Sequence, residues 1–339
     1  MNSHAAGKSA TEPRASSARR PALTQRLLKL EPQFKERVWG GHRLMASDRP
    51  IGEAWVGMAE SIVAAGELAG RRVSALAQEF GAELLGRTVV DRFGERFPLL
   101  AKILDCADWL SVQVHPNDEQ ARRMVGPDEF GKTEAWYFIE AAPKARILLG
   151  VRSGLRPAEL TVAIREGRVA EVAVQVPVRA GDAVLIPAGT LHALGPGLLL
   201  FEIQQASDTT YRAYDWGRPV TDNRKLHIEE SVAVATTAGP LPLCTPRIGG
   251  EAGTARAIDC QYFDVDLIRV AAENLPLDTA RRTFHILTCV EGEAEVASGG
   301  ESVRLGRFET ALVAAAAGSY TVRSFGATGA TLMKVGVPA

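Results

Sequence analysis

Gln113, His115, Glu134 and His192 offer two imidazoles, a carboxylate and an amide oxygen, the donor types of a divalent-metal centre. In Leu110-Ser111-Val112-Gln113-Val114-His115-Pro116 the period of two along a strand sends Ser111, Gln113 and His115 to one face and the aliphatic residues to the other. An edge strand with its polar face in water explains that alternation equally well. A buried polar face instead requires partners, since each unsatisfied group costs about 1–3 kcal/mol. Glu134 shares a face with Trp136 and Phe138, where burial of an unpaired acid is costly and a divalent cation compensates it directly. The run Ala183-Val184-Leu185-Ile186 reads as a buried strand, and Pro187, Gly189 and Thr190 impose a tight turn that delivers His192 at a fixed position. Alone, His192 fits a turn histidine bonded to a nearby carbonyl. With the other three it completes a nitrogen and oxygen set without thiolate, suited to zinc and also to manganese, iron, cobalt or nickel. One carboxylate leaves such a site a charge of about +1, so Lewis acidity survives.

Other reactive residues surround this set. Lys132 precedes Glu134 by two and points the same way; it suits an electrophile, a phosphate contact or a base, or an ordinary surface salt bridge. Lys102 stands in the apolar run Leu99-Leu100-Ala101-Lys102-Ile103-Leu104, either reaching out to water or held inside as a functional cation. Ser207-Asp208-Thr209-Thr210-Tyr211-Arg212-Ala213-Tyr214-Asp215 combines an arginine fork, hydroxyls, carboxylates and aromatic faces, the chemistry of a sugar-phosphate contact surface. An exposed ion pair of Arg212 with Asp208 or Asp215 has the same composition.

The elements that position these residues are mostly short strands: near 51–57, 62–64, 99–104, 110–115 and 134–139 in the first half, and 284–294 and 311–313 in the second. Leu76, Phe80, Leu84 and Leu85 recur at helical spacing and mark a small helical insert near 73–93, and a helix is expected over 118–124. Residues 1–26 are rich in Ala, Ser, Arg and Pro and read as a disordered tail, with an organelle-targeting peptide as the alternative. The 339 residues carry 39 basic and 40 acidic side chains, so net charge points to neither nucleic acid nor an anionic membrane. Four cysteines without a CxxC pair fit reduced thiols in a cytoplasm, and no apolar run approaches the roughly 20 residues of a membrane helix.

The stretch 181–192 matches the second cupin motif, G-x5-P-x-G-x2-H, with Pro196 where an asparagine is usual. The series FPLLAKIL, LSVQVHP, GKTEAWY, IPAGTLHAL and SDTTYRAYD, spread over residues 30–235, resembles type I mannose-6-phosphate isomerases of the short bacterial form. That resemblance implies a mainly β chain of two cupin-type antiparallel barrels, or jelly rolls. It implies zinc, one divalent ion per chain, on Gln113, His115, Glu134 and His192, with Arg212 and Lys132 in catalysis. Ser111, Lys102, Glu53, Trp39 and Asp215 fall at or near pocket positions. The insert is shorter than in long eukaryotic forms, so phosphate contacts drawn from it there do not carry over.

Within the second half, laying 317–321 on 188–192 puts Thr321 where His192 stands, a cupin repeat without its ligand. His227 and His285 are not expected to be ligands. The resulting division is a catalytic domain over 27–240, a linker over 241–258 marked by nearby prolines, and a cupin-like domain over 259–339. The implied activity is interconversion of mannose 6-phosphate and fructose 6-phosphate through an enediol, with a small phosphosugar as partner and oligomeric state open. Two alternatives are a non-catalytic cupin that binds a sugar or sugar phosphate and an isomerase of another phosphosugar. An oxygenase on the same barrel fits less well, since Gln113 stands where a second histidine would be needed.

Overall fold

The computed structural model describes residues 21–221, 224–326 and 328–338. Its principal strands fall into four sheets. The first contains, in spatial order, Gln33–Gly41, Ile51–Gly57, Leu99–Cys106, Leu198–Gln205, Glu134–Ala141 and Ala183–Ile186. The second contains Tyr211–Tyr214, Val112–Val114, His192–Leu194, Arg146–Val151 and Ala173–Pro177. The third runs Leu27–Leu30, Thr310–Val313, His285–Glu291, Ala330–Gly336, Asp264–Val270 and Gly253–Asp259, and the fourth Leu275–Asp278, Ser319–Ser324, Ala294–Ser298 and Glu301–Leu305.

Strand alternation stacks these sheets in layers. Leu99, Ala101 and Ile103 pack with Val265, Leu267 and Met333 of the third sheet, whereas Leu104 and Cys106 on the opposite face pack with Ile147, Leu149 and Leu194 of the second. Leu287, Cys289 and Leu332 carry the third sheet onto Val296 and Val322 of the fourth. The order is therefore second, first, third, fourth. Helices Pro157–Arg165, Val169–Val172 and Ile228–Val234 cover the outer face of the second sheet through Leu160, Ile164, Val172 and Val234, none of them foreseen in the sequence. The insert is three short helices, Val73–Phe80, Ala82–Leu85 and Arg87–Phe93, packed by Leu76, Phe80, Leu84, Leu85 and Val89 into the layer between the first and third sheets.

The chain is mainly β, but none of the four sheets closes into a barrel. The reason lies at the corners where strands change sheet. Between Ala183–Ile186 in the first sheet and His192–Leu194 in the second, Pro187 lacks an N–H and Gly189 adopts φ +84°, so the ladder cannot run through. A side chain on Gly189 would also meet Thr236 Cγ2 at 2.8 Å.

Residues 1–20 of the expected tail lie outside the described residues. Its end is not free: Leu23 is buried and donates its N–H to Glu83, and the Arg26 N–H donates to Glu301 at 2.9 Å. Leu27–Leu30 then pairs with Thr310–Val313, tying the beginning of the chain into the sheet built by its end. The expected linker also contributes structure, because Cys244 bridges to Ala183 and Gly253–Asp259 pairs with Asp264–Val270.

The third sheet repeats the register of the first. Glu134 pairs with Ile186, and His285 pairs with Val313. Glu202 opposes Lys102, and Lys334 opposes Asp266, the same ion pair with its charges exchanged. Thr321, however, does not occupy the counterpart of His192. The strand Ser319–Ser324 begins immediately after Gly318, so the buried side chain is Tyr320, whose hydroxyl meets His285 Nδ1 at 2.8 Å.

Candidate functional site

The site lies between the first and second sheets, in a cavity of about 780 Å³ whose lining includes Trp39, Glu53, Lys102, Ser111, Gln113, Lys132, Glu134, His192 and Arg212. Apolar layers close the space beyond it, with Leu104, Phe138, Leu149, Leu194 and Leu200 below the polar residues. Arg212 opposes Gln113, and Gln113 opposes His192, so three neighbouring strands set these residues in one row. Lys132 and Glu134 come from the first sheet's side. Gly131 allows that approach, since a Cβ there would fall 2.5 Å from the Asn117 carbonyl carbon, and the Lys132 N–H donates to Pro116 O at 2.9 Å.

His115, Glu134 and His192 are each at most 3% exposed, and their ligand atoms lie within 4.8 Å of one another. His115 Nδ1 sits 3.1 Å from Thr209 O and His192 Nδ1 2.9 Å from Thr190 O. Since a carbonyl can only accept, each neutral ring carries its proton on Nδ1 and presents a bare Nε2. Those Nε2 atoms lie 3.4 and 3.2 Å from the two Glu134 oxygens. Burial and the Lys132 ammonium push His115 down to about 3, and burial lowers His192 as well, so both rings are neutral at neutral pH. Burial opposes the Glu134 charge, but Lys132, His192 and His115 hold it well below the usual carboxylate range. Glu134 Oε2 nevertheless has no hydrogen-bond partner beyond its ion pair with Lys132 Nζ. Two unprotonated ring nitrogens and a buried carboxylate, with the Lys132 ammonium as their neighbouring donor, are a ligand set that a divalent ion satisfies. Gln113 stands beside His192, and its amide N–H donates to Ser111 Oγ at 3.1 Å, leaving the oxygen available to such an ion.

Lys132 Nζ lies 3.1 Å from His115 Nε2 and 3.2 Å from Glu134 Oε2. Arg212 donates from Nε to Ser111 Oγ at 3.2 Å and from Nη1 to Lys225 O at 2.7 Å. Burial and the neighbouring Arg224 lower its pKa. No carboxylate among the described residues lies within salt-bridge distance of Arg212, which leaves its charge to a ligand. The remaining anticipated residues have partners of their own. Asp215 is 5% exposed but does not line the cavity; its oxygens accept from Arg224 at 2.6 and 2.9 Å and from Arg218 at 3.1 Å. Glu53 accepts from Arg37 and from Trp55 Nε1. Burial opposes its charge, yet Lys102 and Arg37 keep its pKa below the ordinary value.

Lys102 is held inside, donating to Glu202 at 2.9 Å and Gln204 at 2.7 Å, while the other Glu202 oxygen accepts from Trp136 Nε1. Burial favours the neutral amine, but Glu202 and Glu53 more than offset it and raise the pKa above the lysine range. Lys102→Met is therefore expected to strand a buried carboxylate and cost about 3–5 kcal/mol of stability, read as a fall in urea midpoint. Adding Glu202→Gln should recover part of that loss, and a single variant as stable as the parent would show that the pair does not support the fold. Sequence reasoning passed over Glu202, Gln204, Arg37, Arg224 and His227 as site residues. For Glu202 and Gln204 a signal existed, since Phe201-Glu202-Ile203-Gln204 alternates apolar and polar.

The phosphomannose isomerase type I catalytic-domain model matches residues 27–134, and the mannose-6-phosphate isomerase cupin-domain model matches residues 254–329. Mannose-6-phosphate isomerase ManA of Bacillus subtilis is 36% identical over 290 residues, covering 82% of this chain and 89% of that protein. The mannose-6-phosphate isomerase of Streptococcus mutans is 41% identical over 223 residues, covering 62% and 68%. A crystal structure of the Bacillus subtilis isomerase superposes with a TM-score of 0.80 at 28% identity, covering 92% of this chain and 99% of that one. A zinc-bound mannose 6-phosphate isomerase shares the fold at a TM-score of 0.71 and 18% identity, covering 93% and 100%. Sequence, domain order and fold agree: the chain belongs to the type I phosphomannose isomerase family.

Proposed function

We propose that this protein is a metal-dependent aldose-ketose isomerase that interconverts mannose 6-phosphate and fructose 6-phosphate through an enediol. The observation that carries this reading is the convergence of two unprotonated Nε2 atoms and the Glu134 carboxylate on one point beside a cavity that also presents an arginine without a carboxylate partner. His115, Glu134 and His192 would hold the ion, with Gln113 as a fourth ligand, and zinc fits this set of nitrogen and oxygen donors. When bound, a divalent ion supplies Lewis acidity to the sugar carbonyl and its neighbouring hydroxyl, which makes the C2 proton easier to remove.

The chain's own residues position the sugar and manage charge and proton. Arg212 directs its free N–H groups to substrate oxyanions. Ser111 orients that guanidinium and Gln113 together. Trp39, Lys102 and Glu53 shape the wall. Lys132 faces the cavity next to the ligand set, and Asp208 lines it from an exposed position. Asp215 is committed to two arginines and Asp208 is exposed, and we assign proton transfer to Lys132, which enters the step as the neutral amine, takes the proton from C2 and returns it to C1.

The layer order supports a division into two jelly rolls, the catalytic one from the first and second sheets and a ligand-free copy from the third and fourth, with residues 241–252 between them, since Gly253–Asp259 already belongs to the third sheet. Four free cysteines support a cytoplasmic setting. The test is metal quantification of purified protein with an assay of fructose 6-phosphate formation before chelation, after chelation and after zinc readdition. Activity should be lost on chelation and restored by zinc. Tight metal binding with no turnover of mannose 6-phosphate would instead point to a sugar-binding cupin or an isomerase of another phosphosugar.

A further inference from the structure

His227 has no assigned role and is not a metal ligand, yet it lines the same cavity as Arg212. It precedes the helix Ile228–Val234, which packs against the strand Tyr211–Tyr214. Two hydrogen bonds join it to Arg212. The His227 N–H donates to Arg212 O at 2.9 Å, and the Arg212 N–H donates to His227 Nδ1 at 3.3 Å. Tyr211–Tyr214 is the edge strand of the second sheet, so His227 satisfies both backbone groups of Arg212 on the side where no strand follows. Two residues earlier, Lys225 O accepts Arg212 Nη1. One short segment thus holds the arginine at its backbone and at its guanidinium, while Ser111 fixes Nε from the other side. The groups facing the imidazole are Arg212, Tyr211, whose ring centroid is 6.0 Å away, and Glu230. Burial and the Arg212 charge keep the ring below the ordinary imidazole range, so at neutral pH its Nδ1 is a lone-pair acceptor.

We propose that His227 is a positioning residue for this isomerase: through Nδ1 it locks the backbone of Arg212 and so aims the guanidinium at the substrate oxyanion. The inference rests on the function proposed above, because it presumes that Arg212 meets substrate. A neutral acceptor suits the task, since a carboxylate there would neutralise the arginine and a cation would repel it. Displacing an oriented group by about 1 Å can cost 10²-fold in rate, so the lock has a measurable consequence.

Three substitutions separate this role from its alternatives. Asparagine places its Oδ1 near the position of Nδ1, glutamine reaches instead to the position of Nε2, and alanine offers neither. In the holoenzyme, His227→Ala and His227→Gln are expected to lower kcat/KM for mannose 6-phosphate by about 10- to 100-fold with metal content unchanged, and His227→Asn to recover it to within about threefold. Activity kept by the glutamine variant and lost by the asparagine variant would overturn the proposal in favour of chemistry at Nε2. Equal losses in all three that track a fall in melting temperature would overturn it in favour of simple packing, and three variants indistinguishable from wild type would remove His227 from the site. If the parent enzyme itself does not turn over mannose 6-phosphate, the functional reading has failed first, and the two failures are told apart in one assay.

Discussion

Glu134→Gln should leave the purified protein with little or no bound divalent metal and reduce turnover of mannose 6-phosphate by about 10³-fold or more. The size follows from a Lewis acid contributing several kcal/mol to the barrier, at 1.36 kcal/mol per factor of ten. Glutamine preserves the shape of the side chain but replaces the one anion of the cluster with an amide whose NH₂ cannot ligate. His115 Nε2, His192 Nε2 and the Lys132 ammonium would then surround a neutral group, with Lys132 only 6% exposed and deprived of its counter-ion. A loss of stability is expected alongside the loss of metal, because an unpaired buried charge is costly. The melting temperature must therefore be measured with the metal-to-chain ratio. Lys132→Met in the same background is expected to restore stability without restoring metal or activity, which separates the two effects. A Glu134→Gln protein that kept one ion per chain and its turnover would exclude this carboxylate from the metal centre.

What the sequence disclosed about the site was whatever strand alternation and turn chemistry encode locally. Gln113 two residues from His115, and Glu134 in phase with Trp136, needed only a period of two; His192 needed the Pro187 and Gly189 corner. Pairing across the sheets was not legible. Lys102 stood out as a charge in an apolar strand, but its partner Glu202 lies 100 positions away and is found only once their strands are in register. His227 eluded periodicity altogether, because its connection to Arg212 runs through backbone groups at a sheet edge.

At fold level the same boundary holds. The helical insert announced itself through Leu76, Phe80, Leu84 and Leu85, whereas the contribution of Leu27–Leu30 to the far sheet depends on contacts across almost the whole chain. A closed barrel was expected from the family pattern. Closure is decided at corners such as Pro187 to Leu191, where one missing N–H and one left-handed glycine interrupt the ladder. The displaced match between Thr321 and His192 has a similarly small origin. The side chain turned inward is Tyr320, one position before Thr321, and a one-residue change of phase exchanges the two faces.

Arg212→Ala carries the second large effect, a fall in kcat/KM of about 10²- to 10³-fold, the scale seen when one preorganised donor to a developing oxyanion is removed. Metal content should not change, because Arg212 is separated from His192 by the intervening Gln113 strand and, among the described residues, makes no hydrogen bond to His115, Glu134 or His192. Stability should change little, since the side chain is partly exposed, Lys225 is exposed so that its carbonyl can turn to water, and Ser111 Oγ still accepts from Gln113. Arg212→Lys should recover only part of the activity: an ammonium keeps the charge but cannot meet Ser111 and Lys225 O while presenting a planar fork to substrate. Turnover equal to wild type in the alanine variant would remove Arg212 from the reaction. The division of the loss then locates the charge it serves. A rise in KM with kcat preserved places the guanidinium on the phosphate, which is the same in substrate and transition state, whereas equal falls in kcat and kcat/KM place it on the enediolate, where negative charge exists only as the C2 proton leaves.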